Sequence, residues 1–293
     1  MALHRGTGGT SVDRLGPADL IETFAFLDQE PVLNVYLIAL TLRDGLARPR
    51  DEYWGVRVDG EIVALLHLGA QSGAVLPVGD SDAAIELLAQ HLRTRLNALP
   101  RRFQVIGPRT AVSAFSDALA TAGFAPRIER PQIYMALRRG EQVETPRVPE
   151  LRPARPADFD AVFQTGADLR AEELDEDPRK VDAAAYARRV EDECRDGYTW
   201  VWSDDRGLIF RASVSALTGD AAQISGVYTA PAWRNRGIAR RGLGELCARL
   251  FEKSAAVCLF VNDFNAPAIA VYRRLGFSAH ADWASAFYGP PTR

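Results

Sequence analysis

Three short strings recur in the same order along this chain, and no other feature restricts its fold as tightly. Pro17-Ala18-Asp19-Leu20 is matched by Pro156-Ala157-Asp158-Phe159, 139 residues later. Tyr53-Trp54-Gly55-Val56, then Asp59-Gly60, is matched by Tyr198-Thr199-Trp200-Val201, then Asp205-Arg206-Gly207, about 145 residues later. Ala122-Gly123-Phe124 is matched by Leu275-Gly276-Phe277, 153 residues later. Each string alone is weak, because short strings recur by chance. Their shared order and slowly growing offset predict one structural unit used twice, with small insertions in the second copy. The length of 293 residues suits two domains better than one core. The segment Gly140–Glu150 carries Pro146 and Pro149 and has no apolar periodicity, so it reads as the linker. The expected domains are therefore 1–144 and 145–293.

Each copy reads as a mixed α/β unit. In the second, Leu151–Pro153 is a short strand and Pro156-Ala157-Asp158 opens a helix. Val181–Cys194 is a second helix. Thr199–Ser203 and Gly207–Ala216 are strands joined by a tight turn, and Ala222–Thr229 is another strand. A helix from about Gly237 to Lys253, a buried strand Val257–Val261, a helix Ala266–Leu275 capped by Gly276, and a strand Trp283–Tyr288 complete it. The first copy repeats the order. It has a helix at Ala18–Leu27, an apolar segment Val32–Leu42 and strands at Tyr53–Val58, Ile62–Gly69 and Ala74–Val78. A long helix Ser81–Leu99, a strand Arg102–Gly107, a helix Ala114–Ala122 and a strand Gln132–Leu137 follow.

Composition removes several classes of function. With 35 basic and 38 acidic residues the net charge is −3, and neither half is basic. A nucleic-acid-binding face is not suggested. No apolar run reaches the ~18 residues of a membrane helix, and the first ten residues lack an apolar signal core. The cysteines, Cys194, Cys247 and Cys258, are odd in number with no CxxC spacing, which argues against a disulfide framework or structural zinc and fits a reducing cytoplasm. His4, His67, His91 and His280 show no triad or metal spacing, so no metal is expected.

The chemistry concentrates in one stretch, Gln223 to Arg240. A strand ends at Pro231, and a loop of Arg234, Asn235, Arg236 and Gly237 opens a helix at Ile238-Ala239-Arg240. Helix starts leave about four N–H groups unpaired and carry positive partial charge. Gly237 lets a ligand approach the backbone, Ala239 keeps the next turn small, and Arg234, Arg236 and Arg240 add formal charge. Such a junction can hold a phosphate or pyrophosphate; it reads equally as a solvated, Arg-rich helix start. It is neither a Walker loop nor a GxGxxG fingerprint.

Arg234-x-x-Gly237-x-Ala239 resembles the R/Q-x-x-G-x-G/A loop of the GNAT family of N-acetyltransferases. The later block Asn265-x-x-Ala268-x-x-x-Tyr272-x-x-x-Gly276-Phe277 is similar to that family's late N-x-x-A-x-x-x-Y-x-x-x-G-F block. The resemblance covers roughly 150–293, and the pairing of a weak first copy with a typical second resembles tandem GNAT proteins. It implies two tandem GNAT folds, each a mixed central sheet flanked by helices. It also implies acetyl-CoA, or another short acyl-CoA, as co-substrate and a primary amine on a small molecule or peptide as acceptor. Val227, Tyr228 and Thr229 would pair with the pantetheine arm as an added strand. An N–H near Val227 would polarise the thioester carbonyl. The amine would attack directly, and Tyr272 would return a proton to the CoA thiolate. Asn265 would cap its helix or bond to CoA.

An ammonium must lose a proton before it attacks. Many members of the family carry a glutamate on the strand before the loop; here Gln223-Ile224-Ser225-Gly226 offers none. Glu172 and Glu173, after the first helix of the second copy, are the alternatives. They sit in an acidic run, Glu172 to Asp177, that reads equally as a surface loop and that, if functional, favours a cationic acceptor. In the first copy the loop position holds Gly79-Asp80-Ser81-Asp82, which would repel a pyrophosphate, while Tyr272 corresponds to Leu119 and Asn265 to Val112. The first copy is therefore expected to be a degenerate, non-catalytic GNAT-like unit. A non-catalytic acyl-CoA-binding or sensing module, or an interaction scaffold, remains the rival reading. The sequence does not name the acceptor or the oligomeric state.

Overall fold

The computed structural model describes residues 9–174 and 176–289; His4 and Asp175 lie outside them. In chain order the elements begin β1 (Thr10–Leu15), α1 (Leu20–Leu27), α2 (Val35–Asp44), β2 (Glu52–Val58), β3 (Glu61–Leu68), β4 (Ala74–Val78), α3 (Asp82–Arg95), β5 (Phe103–Pro108), α4 (Arg109–Thr121) and β6 (Ile128–Arg138). They continue with β7 (Arg152–Pro153), α5 (Phe159–Leu174), α6 (Pro178–Asp196), β8 (Thr199–Asp204), β9 (Gly207–Leu217), β10 (Ala221–Thr229), α7 (Ile238–Leu250), β11 (Ala256–Asn262), α8 (Ala266–Leu275) and β12 (Ser278–Tyr288). Two compact units result. One runs to Ile133 and takes up the chain again from Ala281; the other is Tyr134–His280.

The first unit orders its strands β1-β2-β3-β4-β5-β12. β1 to β4 form an antiparallel meander, and β4 and β5 run parallel, as a helical crossover through α3 requires. α3 and α4 bury Leu88, Leu92, Phe115 and Leu119 against Leu66, Val105 and Ala286. β12 closes this sheet beside β5, from Trp283↔Pro108 to Tyr288↔Phe103. By sequence that strand ends the second copy, so the units do not follow a cut at 145. The strand β1 has no counterpart in the sequence reading. Five of its six residues are not buried, and a mostly polar strand gives little periodicity to read.

The second unit orders its strands β6-β11-β10-β9-β8-β7. β10 is antiparallel to β9 and parallel to β11. On one side α5 and α6 enclose Val162, Val190, Cys194 and Val201. The helix α6 is broken at Asp182, whose side chain accepts from the Ala185 N–H and starts the helix proper close to the expected Val181. α7 lies close on β9 because Gly242 has no side chain; a Cβ there would stand 2.7 Å from the Phe210 ring.

The segment expected as the linker is irregular and mostly exposed, but it is anchored to this unit at Arg147 and Val148. Val148 and Leu151 are fully buried. The carboxylate of Glu245 on α7, itself buried, accepts from Arg147 Nε at 2.7 Å, from the Val148 N–H at 3.1 Å and from Arg249 Nε at 2.9 Å. These donors hold its carboxyl down at about 2. The prolines break periodicity, but they do not free the segment.

Candidate functional site

β10 carries an irregularity that opens the second sheet. Gly226 takes φ +59°, and the register with β9 shifts between Ser225 and Tyr228, as at a bulge. On the other edge, the ladder with β11 runs from Ala221↔Ala256 to Gln223↔Cys258 and, among the described residues, stops there. Beyond it β10 continues to Thr229 and β11 to Asn262, so the strands part. Val227, Tyr228 and Thr229 lie where the edge of β10 is open to another extended chain. The Thr229 hydroxyl is buried there without a partner.

After β10, a short turn at Pro231–Trp233 leads to Arg234, Asn235, Arg236 and Gly237. Asn235 (φ +61°) and Gly237 (φ +74°) are both left-handed. Asn tolerates this conformation and Gly adopts it without strain. Alternation of this kind turns successive N–H groups to one side, and the first N–H groups of α7 follow. No atom lies within 4 Å of where a Gly237 Cβ would stand, so the backbone is accessible. Ile238 is buried as the first core residue of α7, while Ala239 and Arg240 are half-buried. The Nε of Arg240 is buried without a partner, as is that of Arg241. A diphosphate with an extended tail fits this donor set: amide N–H groups and arginines at a helix start, beside an open strand edge.

The arginines differ in their surroundings. Arg236 is exposed and lies over the Trp233 ring, 5.5 Å from its centroid. Arg234 turns back over Tyr228, donating to the Thr229 carbonyl at 3.1 Å and to both carboxylate oxygens of Glu172 at 3.0 Å. Glu172 is therefore joined to the loop.

Tyr272 is buried on α8, between Ile269 and Leu275 on the helix's inner face. Burial, and then the charge of Glu173, raise its hydroxyl far above the ordinary tyrosine range. It holds its proton at neutral pH. The structure thus brings Glu173 near Tyr272 and Glu172 near Arg234. Asn265 caps α8 by accepting from the Ala268 N–H at 3.2 Å, the first of its two expected roles. Gln223, at the strand position that lacks a carboxylate, is buried and accepts from Ser215 Oγ at 3.0 Å. Cys247 and Cys258 are buried with thiols pushed up to about 12, so they are packing residues.

Among its described residues the first unit offers no such cradle. Only Gly79, Asp80 and Ser81 link β4 to α3. Ser81 Oγ accepts from the Ala84 N–H at 3.3 Å, which satisfies one donor of the helix start internally. A Cβ on Gly79 would stand 2.9 Å from the Ala64 side chain, so the backbone is covered.

Residues 167–277 match the acetyltransferase (GNAT) family, and residues 51–162 match a domain of unknown function, DUF4081. The segment 167–277 is a GNAT-family domain. A GCN5-related N-acetyltransferase from Sphaerobacter thermophilus is similar over 97% of both chains, at TM-score 0.60 and 18% identity. A tandem GNAT protein from the clavulanic acid biosynthesis pathway is similar over 97% of this chain and 100% of its own, at 0.57 and 18%. A GNAT-family acetyltransferase from Colwellia psychrerythraea is similar over 95% and 99%, at 0.55 and 12%. At such identities these structures show the fold: tandem GNAT folds, with the DUF4081 region in the position of a degenerate copy. No curated protein sequence matches the chain. Among the described residues, no helix is long and apolar enough to cross a membrane, and no cluster of three or more His, Cys, Asp or Glu could hold a metal.

Sequence reasoning passed over three arginines. Arg241 adjoins the loop and could have been read from the pair Arg240-Arg241. Arg211 borders the bulge from β9, its Nη2 3.8 Å from where a Gly226 Cβ would stand, and Arg170 lies on α5. They carry no motif, and only the packing of distant segments shows them.

Proposed function

We propose that the second unit transfers an acetyl group from acetyl-CoA to a primary amine. The observation that carries this reading is the parting of β10 from β11 directly before a helix start lined with N–H groups and arginines. One strand edge and one anion cradle are thereby contiguous, which suits a long thioester ending in a pyrophosphate. In this reading Val227–Thr229 pair with the pantetheine arm, and the loop Arg234–Arg240 takes the pyrophosphate. The Thr229 hydroxyl gains the partner it lacks. The Val227 N–H polarises the thioester carbonyl. The free amine attacks the carbonyl carbon, a C–N bond forms and the C–S bond breaks. The amine's excess proton leaves to a carboxylate, and Tyr272 gives its proton to the departing thiolate, which suits a hydroxyl that stays protonated. Glu173, whose charge reaches Tyr272, takes the part of the base in this reading. The first unit, without a cradle, is non-catalytic. The protein acts in the cytoplasm.

Calorimetry with acetyl-CoA, and thiol release across a panel of amines, test the reading. Binding and amine-dependent thiol release are expected, and Gly237→Glu should lose both, because a carboxylate would then project toward the anion site. Failure of the wild type to bind acetyl-CoA sinks the reading. Binding without turnover across the panel would favour a sensing module, in keeping with Gln223 on the strand where a base is missing.

A further inference from the structure

The bulge in β10 rests on a buried cation. Between the pairs Ser225↔Ser213 and Tyr228↔Arg211, Gly226 and Val227 on β10 face Ala212 alone on β9. Arg211 and Ser213 are two apart on β9, so their side chains leave the same face of the sheet. They meet there. Arg211 Nη2 donates to Ser213 Oγ at 3.2 Å, which ties together the two residues that flank Ala212. A Cβ on Gly226 would stand 3.5 Å from Ser213 Oγ, 3.8 Å from Arg211 Nη2 and 4.0 Å from Leu169 of α5. The guanidinium therefore packs against the bulged residue.

Arg211 is held from its other side by the helices. Its Nη1 donates to the Val162 carbonyl of α5 at 2.8 Å. Gly166, one turn further along α5, makes the room. A Cβ there would stand 2.5 Å from Nη1 and would also collide with the Tyr186 hydroxyl of α6. The carboxylate of Glu193 on α6 lies 3.6 Å from Nη2 and accepts from the Thr199 hydroxyl at 3.1 Å, and that hydroxyl is 2.8 Å from Ser213 Oγ. Arg211 is 4% exposed, and its Nε is buried without a partner. Burial works against its charge, yet a guanidinium stays charged in a protein. An apolar side chain of similar volume is often as stable as a buried ion pair, or more so. What arginine adds is a rigid fork that joins α5, β9 and the bulge.

We propose that Arg211 is a positioning residue for acyl transfer, clamping the bulge so that the Val227 N–H stays aimed at the thioester carbonyl. The inference rests on the acyl-transfer reading and adds a residue to it. The Val227 N–H belongs to the peptide plane that begins at Gly226, so whatever fixes Gly226 also fixes its direction. Arg211 acts through that backbone and not on the reacting atoms. The loop that takes the pyrophosphate begins only after Pro231, and its donors do not depend on the bulge. Loss of the clamp should therefore appear in kcat, with acetyl-CoA affinity retained.

The test compares Arg211→Met, Arg211→Lys and Gly166→Ala with the wild type. It uses thiol release with acetyl-CoA and the amine that serves the wild type best, calorimetry with acetyl-CoA, and melting curves. Arg211→Met should lower kcat by about 10- to 100-fold, as a misaimed oxyanion donor would, with acetyl-CoA affinity within about twofold. Arg211→Lys should fall between, since an ammonium can keep one of the two contacts. Gly166→Ala keeps the arginine but drives its guanidinium out, and should reproduce the loss of kcat. Those two variants carry the decision if Arg211→Met does not fold. Folded variants with wild-type kcat overturn the proposal, as do variants whose acetyl-CoA affinity falls as far as their kcat. Both outcomes leave acyl transfer standing. Absence of thiol release from the wild type removes both readings.

Discussion

Replacing Glu245 by Gln probes the anchor of the helix that opens the loop. Glu245→Gln keeps the shape and the acceptor for the Val148 N–H but removes the charge that Arg147 and Arg249 address. The bonded arginines and the Val148 N–H lower the carboxyl from the usual 4.5 to about 2. Taken at full value, that corresponds to about 3 kcal/mol at ~1.4 kcal/mol per tenfold. Arg147 is 76% exposed, however, so solvent screens its share. A loss of about 1–2 kcal/mol at pH 7 is the reasonable expectation. The carboxyl's pKa is depressed on folding, so its contribution is fully present above the unfolded value. It fades as the pH falls from 4.5 toward 2, where the folded carboxyl also protonates. Urea denaturation followed by far-ultraviolet circular dichroism at pH 7, 4 and 3 should show the variant less stable at pH 7 and the gap narrowing toward pH 3. Equal stability at pH 7, or a gap that widens in acid, would refute the reasoning.

Other consequences are as direct. Tyr272→Phe should lower kcat by about 100-fold, the usual worth of a positioned proton donor, with acetyl-CoA affinity retained by calorimetry; an unchanged kcat would remove Tyr272 from the chemistry. Thr229→Val deletes a buried hydroxyl without a partner. The free protein should melt no lower than wild type, while acetyl-CoA binding weakens about fivefold; the reverse pattern would show that the hydroxyl serves the fold and not the ligand. Gly242→Val would push into the Phe210 ring, and a loss of about 1–3 kcal/mol is expected in urea melts. A neutral result would mean that α7 can lift from β9.

What the sequence displays plainly is whatever local chemistry dictates. β4 and α8 fall on the residues expected, because a short apolar run, Asn265 as cap and Gly276 at φ +103° act within a few positions. The loop is legible for the same reason, since Pro231 and Gly237 mark its ends. The non-local features are not. Nothing in Gly207–Leu217 distinguishes Arg211 from an outward-facing strand arginine until α5 and α6 cover it. Gly166 looks like a flaw in a helix until its neighbours are known. Likewise the Pro-bearing segment Gly140–Glu150 reads as a spacer, because its partner, Glu245, lies 98 residues after Arg147.

The placement of β12 has a consequence for how such a chain is made. The strand that completes the first unit's sheet follows the second unit in chain order, so that sheet is finished only after the whole second unit has been synthesised. Until then β5 presents an uncovered edge, the kind of surface that draws other chains. Nor can the chain be cut at 145 into two working halves. The front fragment would lack β12, and the rear would carry that strand without β5 while missing β6.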